Sequence, residues 1–304
     1  MALQKQHILI TGGTGLLGKQ LTPLLLNKGY TVSHLSREPA KDPNVKTYLW
    51  DINKGQIDEQ CIDGVDIIIH LAGAGIADKR WTPSRKKLII ESRTKSIQLI
   101  YDLLKRKPHQ VKKVISASGV GYYSDRGDEL MHETDTPAHD FMGECCIAWE
   151  DAVNEGEKLG LDILIFRTGV VLEKGGGALP KLDTSVKWGA GAPLGNGKQW
   201  MSWIHHHDVS AMYLYGVEQT GLTGIYNMAA PHPVTNQQLT QAIAKQLKRP
   251  LWLPHVPAFL LKLVLGEMAT IVLGSTKVST DKIEQAGFTF RYPDIGSALK
   301  EIYD

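Results

Sequence analysis

Short, β-branched apolar runs alternate with segments whose apolar positions recur every three to four residues through the first two thirds of the chain. The runs are HILIT, TVSHLS, KTYLW, DIIIHLAG, KKVISAS and DILIFRTGVV, with helical patterns from the first run to Lys28, over residues 84–106 and near 143–159. Strand and helix repeated in this order predict crossover units and a parallel sheet with helices on both faces. The runs are apolar and bounded by turns, as strands covered on both faces are.

The pattern changes after Leu172. EKGGGALP and WGAGAPLGNGKQW are glycine-rich and lack periodicity, which reads as long loops over a site. A second helical region opens at VTNQQLTQAIAKQL, with Thr235 or Asn236 in the capping position. From Pro254 to Gly274 the chain is apolar, but Lys262 and Glu267 interrupt it and prolines stand at its start, which argues against a membrane span. Packing against the sheet domain or a dimer contact is the favoured reading, and an interfacial membrane helix the alternative.

Composition narrows the partners. Lys and Arg total 34 against 32 acids, a net charge of +2, so no strong basic field draws the chain to nucleic acid or acidic lipid. A small molecule is the expected partner. No secretory signal pattern or bilayer-length apolar stretch is present in the sequence, and the protein is expected to be cytoplasmic. Cys61, Cys145 and Cys146 are odd in number, and the adjacent pair cannot easily bridge, so all three read as reduced thiols.

HILITGGTGLLGKQL places Gly12, Gly15 and Gly18 where a strand turns into a helix. Gly12 permits the tight turn, Gly15 lets a pyrophosphate approach the backbone, and Gly18 permits close helix packing. The helix N-terminus adds free N–H groups and partial positive charge. Thr14, Leu16 and Leu17 lie in the same turn and belong to the same candidate site. An acid closing the second strand, roughly 20 residues beyond the glycines, would bond the 2′-hydroxyl of NAD. Ser36 and Arg37 stand there instead, and they suit a 2′-phosphate, so NADP(H) is the expected cofactor. The plain alternative for Arg37 is a solvated loop residue. The predicted fold is α/β, a Rossmann-type doubly wound parallel sheet over residues 1–171. A smaller C-terminal substrate lobe and helical region follow over 172–304, with some segments returning to the core.

TGGTGLLG resembles the glycine turn of the extended, epimerase-like members of the short-chain dehydrogenase/reductase superfamily. That resemblance implies that Asp51, after the third strand, meets the adenine, although a turn role is also open. It also implies that Leu71, Ala72 and Gly73 pack against the cofactor ribose. The superfamily uses a tyrosine as acid or base, a lysine one helical turn later, and a serine on the reacting oxygen. SASGVGYY places Ser118 at the serine position, but FMGECCIAWE puts Met142 where the tyrosine belongs and Cys146 where the lysine belongs. The Tyr101-to-Lys105 spacing falls on the wrong helix and reads as a surface pair.

ESRTKSIQLI, RTGVVLEKGGGALPKL, GAPLGNGKQWMSWIHHHDVSAMY, YNMAAPHPVTN and AGFTFRYPDIGSALKEI together are similar to the atypical, sugar-nucleotide-epimerase-like group, some of whose members carry a cell division inhibitor label. This implies NADP contacts at Ser36, Arg37, Leu71, Ala72, Arg93 and Val171.

Other residues have two readings each. Tyr122 and Tyr123 are candidate proton donors in place of the missing tyrosine, or aromatic walls of the pocket. Glu150 and Arg167 read as structural ion-pair formers, and a thiolate at Cys145 or Cys146 is less expected than a buried thiol. The three histidines of WIHHHD are expected to project in different directions, so no metal site is expected. Asp208 reads as a helix cap with His205 directed into the site, and Gln199, Trp200 and Trp203 as a closing loop or a hinge. The expected function is that of an NADP-dependent oxidoreductase or epimerase-like protein acting on a small metabolite, sugar-linked or not. A catalytically degenerate NADP-binding sensor or scaffold is the alternative, and a monomer or homodimer is the expected state.

Overall fold

The computed structural model describes residues 6–39 and 44–304. An eight-stranded sheet runs in the order Gly224–Met228, Asp162–Thr168, Lys113–Gly119, Ile67–His70, His7–Thr11, Thr31–Ser36, Lys46–Asp51, Gln56–Ile57. Every neighbouring pair is parallel except the last, Gln56–Ile57 against Lys46–Asp51. From the central His7–Thr11 strand the chain first builds outward to one side and then crosses to the other. The reversal lies between His7–Thr11 and Ile67–His70, and such a switch point is where open α/β sheets leave a crevice at their carboxyl ends.

Side chains alternate across a strand, and here both sets are apolar because both faces are covered. Ile8 and Ile10 pack with Leu21 and Leu25 of the Leu16–Asn27 helix and with Val209 and Met212 of the His206–Glu218 helix. Leu9 faces the other layer, with Ile97 and Ile100 of the Pro83–Arg106 helix and Trp149 and Val153 of the Phe141–Asn154 helix. Tyr101 lies in this second layer, 2% exposed, its hydroxyl donating to the Val153 carbonyl at 2.6 Å. It is therefore a core residue and not half of a surface pair; its ring had an apolar layer to fill.

A third core joins Leu172, Leu179, Trp203, Leu239, Ile243, Leu299 and Ile302. The glycine-rich stretch expected as loops in fact holds Gly176–Gly177, paired with Val170–Glu173, which pairs in turn with Trp203–His205, and the Leu179–Lys187 helix follows. Trp203 is fully buried with its indole N–H on the His232 carbonyl, and Gln199 is buried with its amide on the Leu194 and Val272 carbonyls. Neither belongs to a free loop. Thr235 caps the Asn236–Gln246 helix in a reciprocal capping box with Gln238.

The apolar stretch after Pro254 forms the short helices Ala258–Leu265 and Ala269–Leu273. Packing against the sheet is not what most of it does: Phe259 is 73% exposed, Leu263 72% and Val264 66%. Among the described residues, no helix is long and apolar enough to cross a membrane.

Candidate functional site

The glycine turn opens on the crevice. Gly12 sits at φ +71°, where a Cβ would also meet the Leu71 carbonyl at 3.0 Å, and a Cβ on Gly18 would fall 2.4 Å from Gly13 Cα. Gly15 begins the Leu16–Asn27 helix and brings no side-chain acceptor to its first turn. Those N–H groups are left for an anion, which the helix dipole also favours. Thr11 Oγ1 accepts from Leu71 N and Ala72 N, both at 3.1 Å, and so holds the end of the Ile67–His70 strand beside the turn. Arg93 lies against Gly73, its Nη1 donating to the Ala74 and Ile89 carbonyls and its guanidinium 4.8 Å from the Trp149 ring centre. Gly176 packs on the Leu16 side chain, bringing the strand that carries Val171 over the start of the helix.

At the end of the second strand Arg37 is exposed, and the Ser36 hydroxyl accepts from Glu38 N at 3.3 Å. Asp51 closes a turn, its Oδ1 accepting from Asn53 N and Lys54 N at 3.0 and 3.2 Å. The residues present fit a dinucleotide: glycines without room for side chains, an uncapped helix start, and an exposed guanidinium at the strand end.

Strand register builds the second half of the site. Ser118 is opposite Arg167, and Arg167 is opposite Asn227, so three strand ends present one polar row. Glu150, from the Phe141–Asn154 helix, meets this row. Arg167 Nε and Nη2 donate to its two oxygens at 2.9 and 2.7 Å, and the Ser118 hydroxyl donates to Oε1 at 2.7 Å. Arg167 and Glu150 are both buried. Burial opposes the Arg167 charge, but the Glu150 carboxylate outweighs it and holds the guanidinium above its ordinary range.

Tyr123 is fully buried; its hydroxyl accepts from Arg167 Nη1 and donates to Asn227 Oδ1, each at 2.9 Å. Burial pushes that phenol up to about 12 against the pull of Arg167. Tyr122 is half-buried, with the Arg167 guanidinium 3.3 Å over its ring centre. Met142 lies against Gly121 and closes the space beside the tyrosines. Burial, with Cys145 and Glu150 nearby, pushes the Cys146 thiol up to about 12, so it is no thiolate at neutral pH. A cleft of about 450 Å³ is lined by Ser124, the residue after Tyr123, and by Asp140, Lys262, Thr270 and Leu273 among others.

Some expected residues are elsewhere. His205 is fully buried and faces Glu301, away from this row. It is also the residue that caps the His206–Glu218 helix; Asp208 instead accepts the backbone N–H groups of Arg291 and Tyr292 at 2.9 Å. Thr11 and Asn227 were not singled out from the sequence. Only the strand pairing brings them in, and a lone Thr or Asn at a strand end carries no local signal.

Comparison with known proteins agrees with this geometry. Residues 8–229 match the model of the NAD dependent epimerase/dehydratase family, and residues 256–302 match a domain of unknown function, DUF1731. The epimerase family protein YfhF of Bacillus subtilis is 36% identical, covering 97% of each chain. The epimerase family protein SH2119 of Staphylococcus haemolyticus is 34% identical, covering 98% of this chain and 99% of that one. The crystal structure of the human epimerase family protein SDR39U1 (isoform 2) with NADPH is 28% identical, with a TM-score of 0.86 over 98% of this chain and 99% of that one. With the Rossmann-type sheet, the glycine turn and a match across most of its length, the chain belongs to the NAD dependent epimerase/dehydratase family.

Proposed function

We propose that the chain is an NADP(H)-dependent oxidoreductase acting on a small metabolite that carries a hydroxyl or carbonyl, with sugar-linked compounds the first class to examine. The observation that carries the reading is the uncapped helix start at Gly15 together with the exposed Arg37 at the end of the second strand. The NADPH named with the human relative supports the same choice.

In this reading Gly12, Thr14, Gly15, Leu16, Leu17 and Gly18 hold the pyrophosphate. Ser36 and Arg37 take the 2′-phosphate, and Asp51 borders the adenine through its turn. Leu71, Ala72, Gly73, Arg93 and Val171 flank the inner ribose. Bound NADP(H) supplies hydride chemistry. The Ser118 hydroxyl already donates to Glu150, so its lone pairs are what it offers a substrate hydroxyl. To donate to a carbonyl it must turn away from Glu150. Tyr122 is the group we assign to proton exchange, because both hydrogen-bonding roles of the Tyr123 hydroxyl are filled. Tyr123 then positions Arg167.

A second reading, a cofactor-binding sensor without turnover, rests on Met142 and Cys146 at the tyrosine and lysine positions. A panel of aldehydes, ketones and nucleotide-linked sugars, followed by NADPH consumption, tests both. Ser118→Ala and Tyr122→Phe are expected to lower kcat/KM by about 10²-fold with NADPH affinity unchanged. Full activity in both variants would remove the catalytic assignment, and tight NADPH binding with no turnover across the panel would favour the sensor.

A further inference from the structure

The histidines of WIHHHD converge, contrary to the expectation from their spacing. His205 ends the Trp203–His205 strand and caps the following helix from an extended conformation, its Nδ1 accepting from His207 N at 3.1 Å. This sharp entry into the helix brings the rings together, with centres 4.4 Å (His205 to His206), 4.1 Å (His206 to His207) and 5.2 Å (His205 to His207) apart. Opposite them stands Glu301 of the Ile295–Tyr303 helix. Its Oε2 is 2.8 Å from His205 Nε2 and 3.9 Å from His206 Nε2, and its Oε1 is 3.2 Å from His207 Nε2. One ligand atom each from His205, His206 and Glu301 lie within 4.8 Å of one another.

His205 and His207 both hydrogen-bond Glu301 through Nε2, at 2.8 and 3.2 Å, so it is the other ring nitrogen that separates ligands from supports. His205 Nδ1 accepts a backbone N–H, so neutral His205 carries its proton on Nε2 and donates it to Glu301. It orients the carboxylate and has no free lone pair to give. His206 is the reverse: its Nδ1 faces the Gln20 Oε1 acceptor at 3.1 Å, which puts the proton there and leaves the lone pair on Nε2. That lone pair and a carboxylate oxygen then stand 3.9 Å apart, beyond hydrogen-bond length. A dication with bonds of about 2.0–2.2 Å to each bridges such a gap. An imidazole whose second nitrogen donates to an acceptor, beside a carboxylate that is itself hydrogen-bonded, is the outer support that metal ligands need.

We propose that His206 Nε2 and the Glu301 carboxylate hold a zinc-type transition-metal dication, with the exposed His207 joining them once the ion displaces the proton that its Nε2 now shares with Glu301, Gln20 and His205 orienting the ligands and water completing the coordination. Two imidazoles and a carboxylate suit zinc, cobalt and nickel better than magnesium or calcium. His207 and Glu301 are partly exposed, which leaves an entry path. A bound ion would fasten the C-terminal helix to the start of the His206–Glu218 helix, and through Gln20 to the helix that follows the glycine turn. The proposal does not depend on the cofactor assignment.

The test uses the full-length, tag-free protein, stripped with chelator and titrated with Zn²⁺ by calorimetry and with Co²⁺ by visible absorption at neutral pH. One ion per chain is expected, with a melting temperature raised by Zn²⁺. Glu301→Gln, His206→Ala and His207→Ala should each weaken binding at least about 10-fold and abolish the zinc-dependent shift. His109→Ala, an exposed histidine elsewhere, should do neither. Circular dichroism identifies any variant that fails to fold, and the partly exposed positions 207 and 301 still decide the matter. The absence of saturable binding, or binding unchanged in the position 207 and 301 variants, would overturn the site.

Discussion

Glu150 and Arg167 stabilise each other in a place where neither charge could stand alone. Removing one member of such a buried pair leaves the other uncompensated, at a cost of about 3–5 kcal/mol. An ion-pair role for each was legible from a glutamate inside a helix and an arginine at a strand end. That the two pair with each other, and that the row continues to Tyr123 and Asn227, was not, because it depends on how the helix and strands come together. His70 shows a different residue-scale effect. It is buried between Ser116 and Ser96, and burial, helped by Arg93, lowers its pKa to about 3. Between that value and the unfolded value of about 6.5 the unfolded chain binds a proton that the folded chain does not. The stability that neutral His70 allows is therefore complete above the unfolded pKa and lost as pH falls. Lowering the pH from 7 to 5 should cost about 2 kcal/mol through this residue. Urea unfolding of wild type and His70→Gln at both pH values checks it; an equal pH-dependent loss in the two proteins would show that His70 is not the source.

At the level of elements, local signals were readable and distant ones were not. Thr235 could be read as a cap because the backbone N–H that donates to its hydroxyl, that of Gln238, lies three residues on. Thr235→Ala should destabilise the chain by about 1 kcal/mol while Thr235→Ser retains most of the stability, as measured by thermal melting. Asp208 misled for the opposite reason. An acid at a helix start looks like a cap, but here its carboxylate satisfies backbone groups of Arg291 and Tyr292, more than eighty residues away. The glycine-rich stretch after Leu172 misled similarly, since the short strands within it exist only through pairing with Val170–Glu173 and, beyond it, Trp203–His205. The histidine triplet combines both cases: its turn is local, but Glu301 and Gln20 come from opposite ends of the chain.

Over the whole molecule, the sheet order and the crevice follow from the alternation of apolar runs with helices and from the glycine turn. Crossover connections leave few ways to arrange them. The chain after Leu172 was less legible, because the third core is assembled from segments far apart in sequence and the helices that follow Pro257 leave Phe259, Leu263 and Val264 exposed. What the crevice holds is the central question, and fluorescence titration of NADPH and NADH into wild type and Arg37→Ala addresses it most directly. NADPH should bind at least about tenfold more tightly than NADH, with the preference lost in Arg37→Ala because the exposed guanidinium supplies the fork of donors for the 2′-phosphate. Equal affinity for the two nucleotides in wild type, or binding of neither, would contradict the assignment.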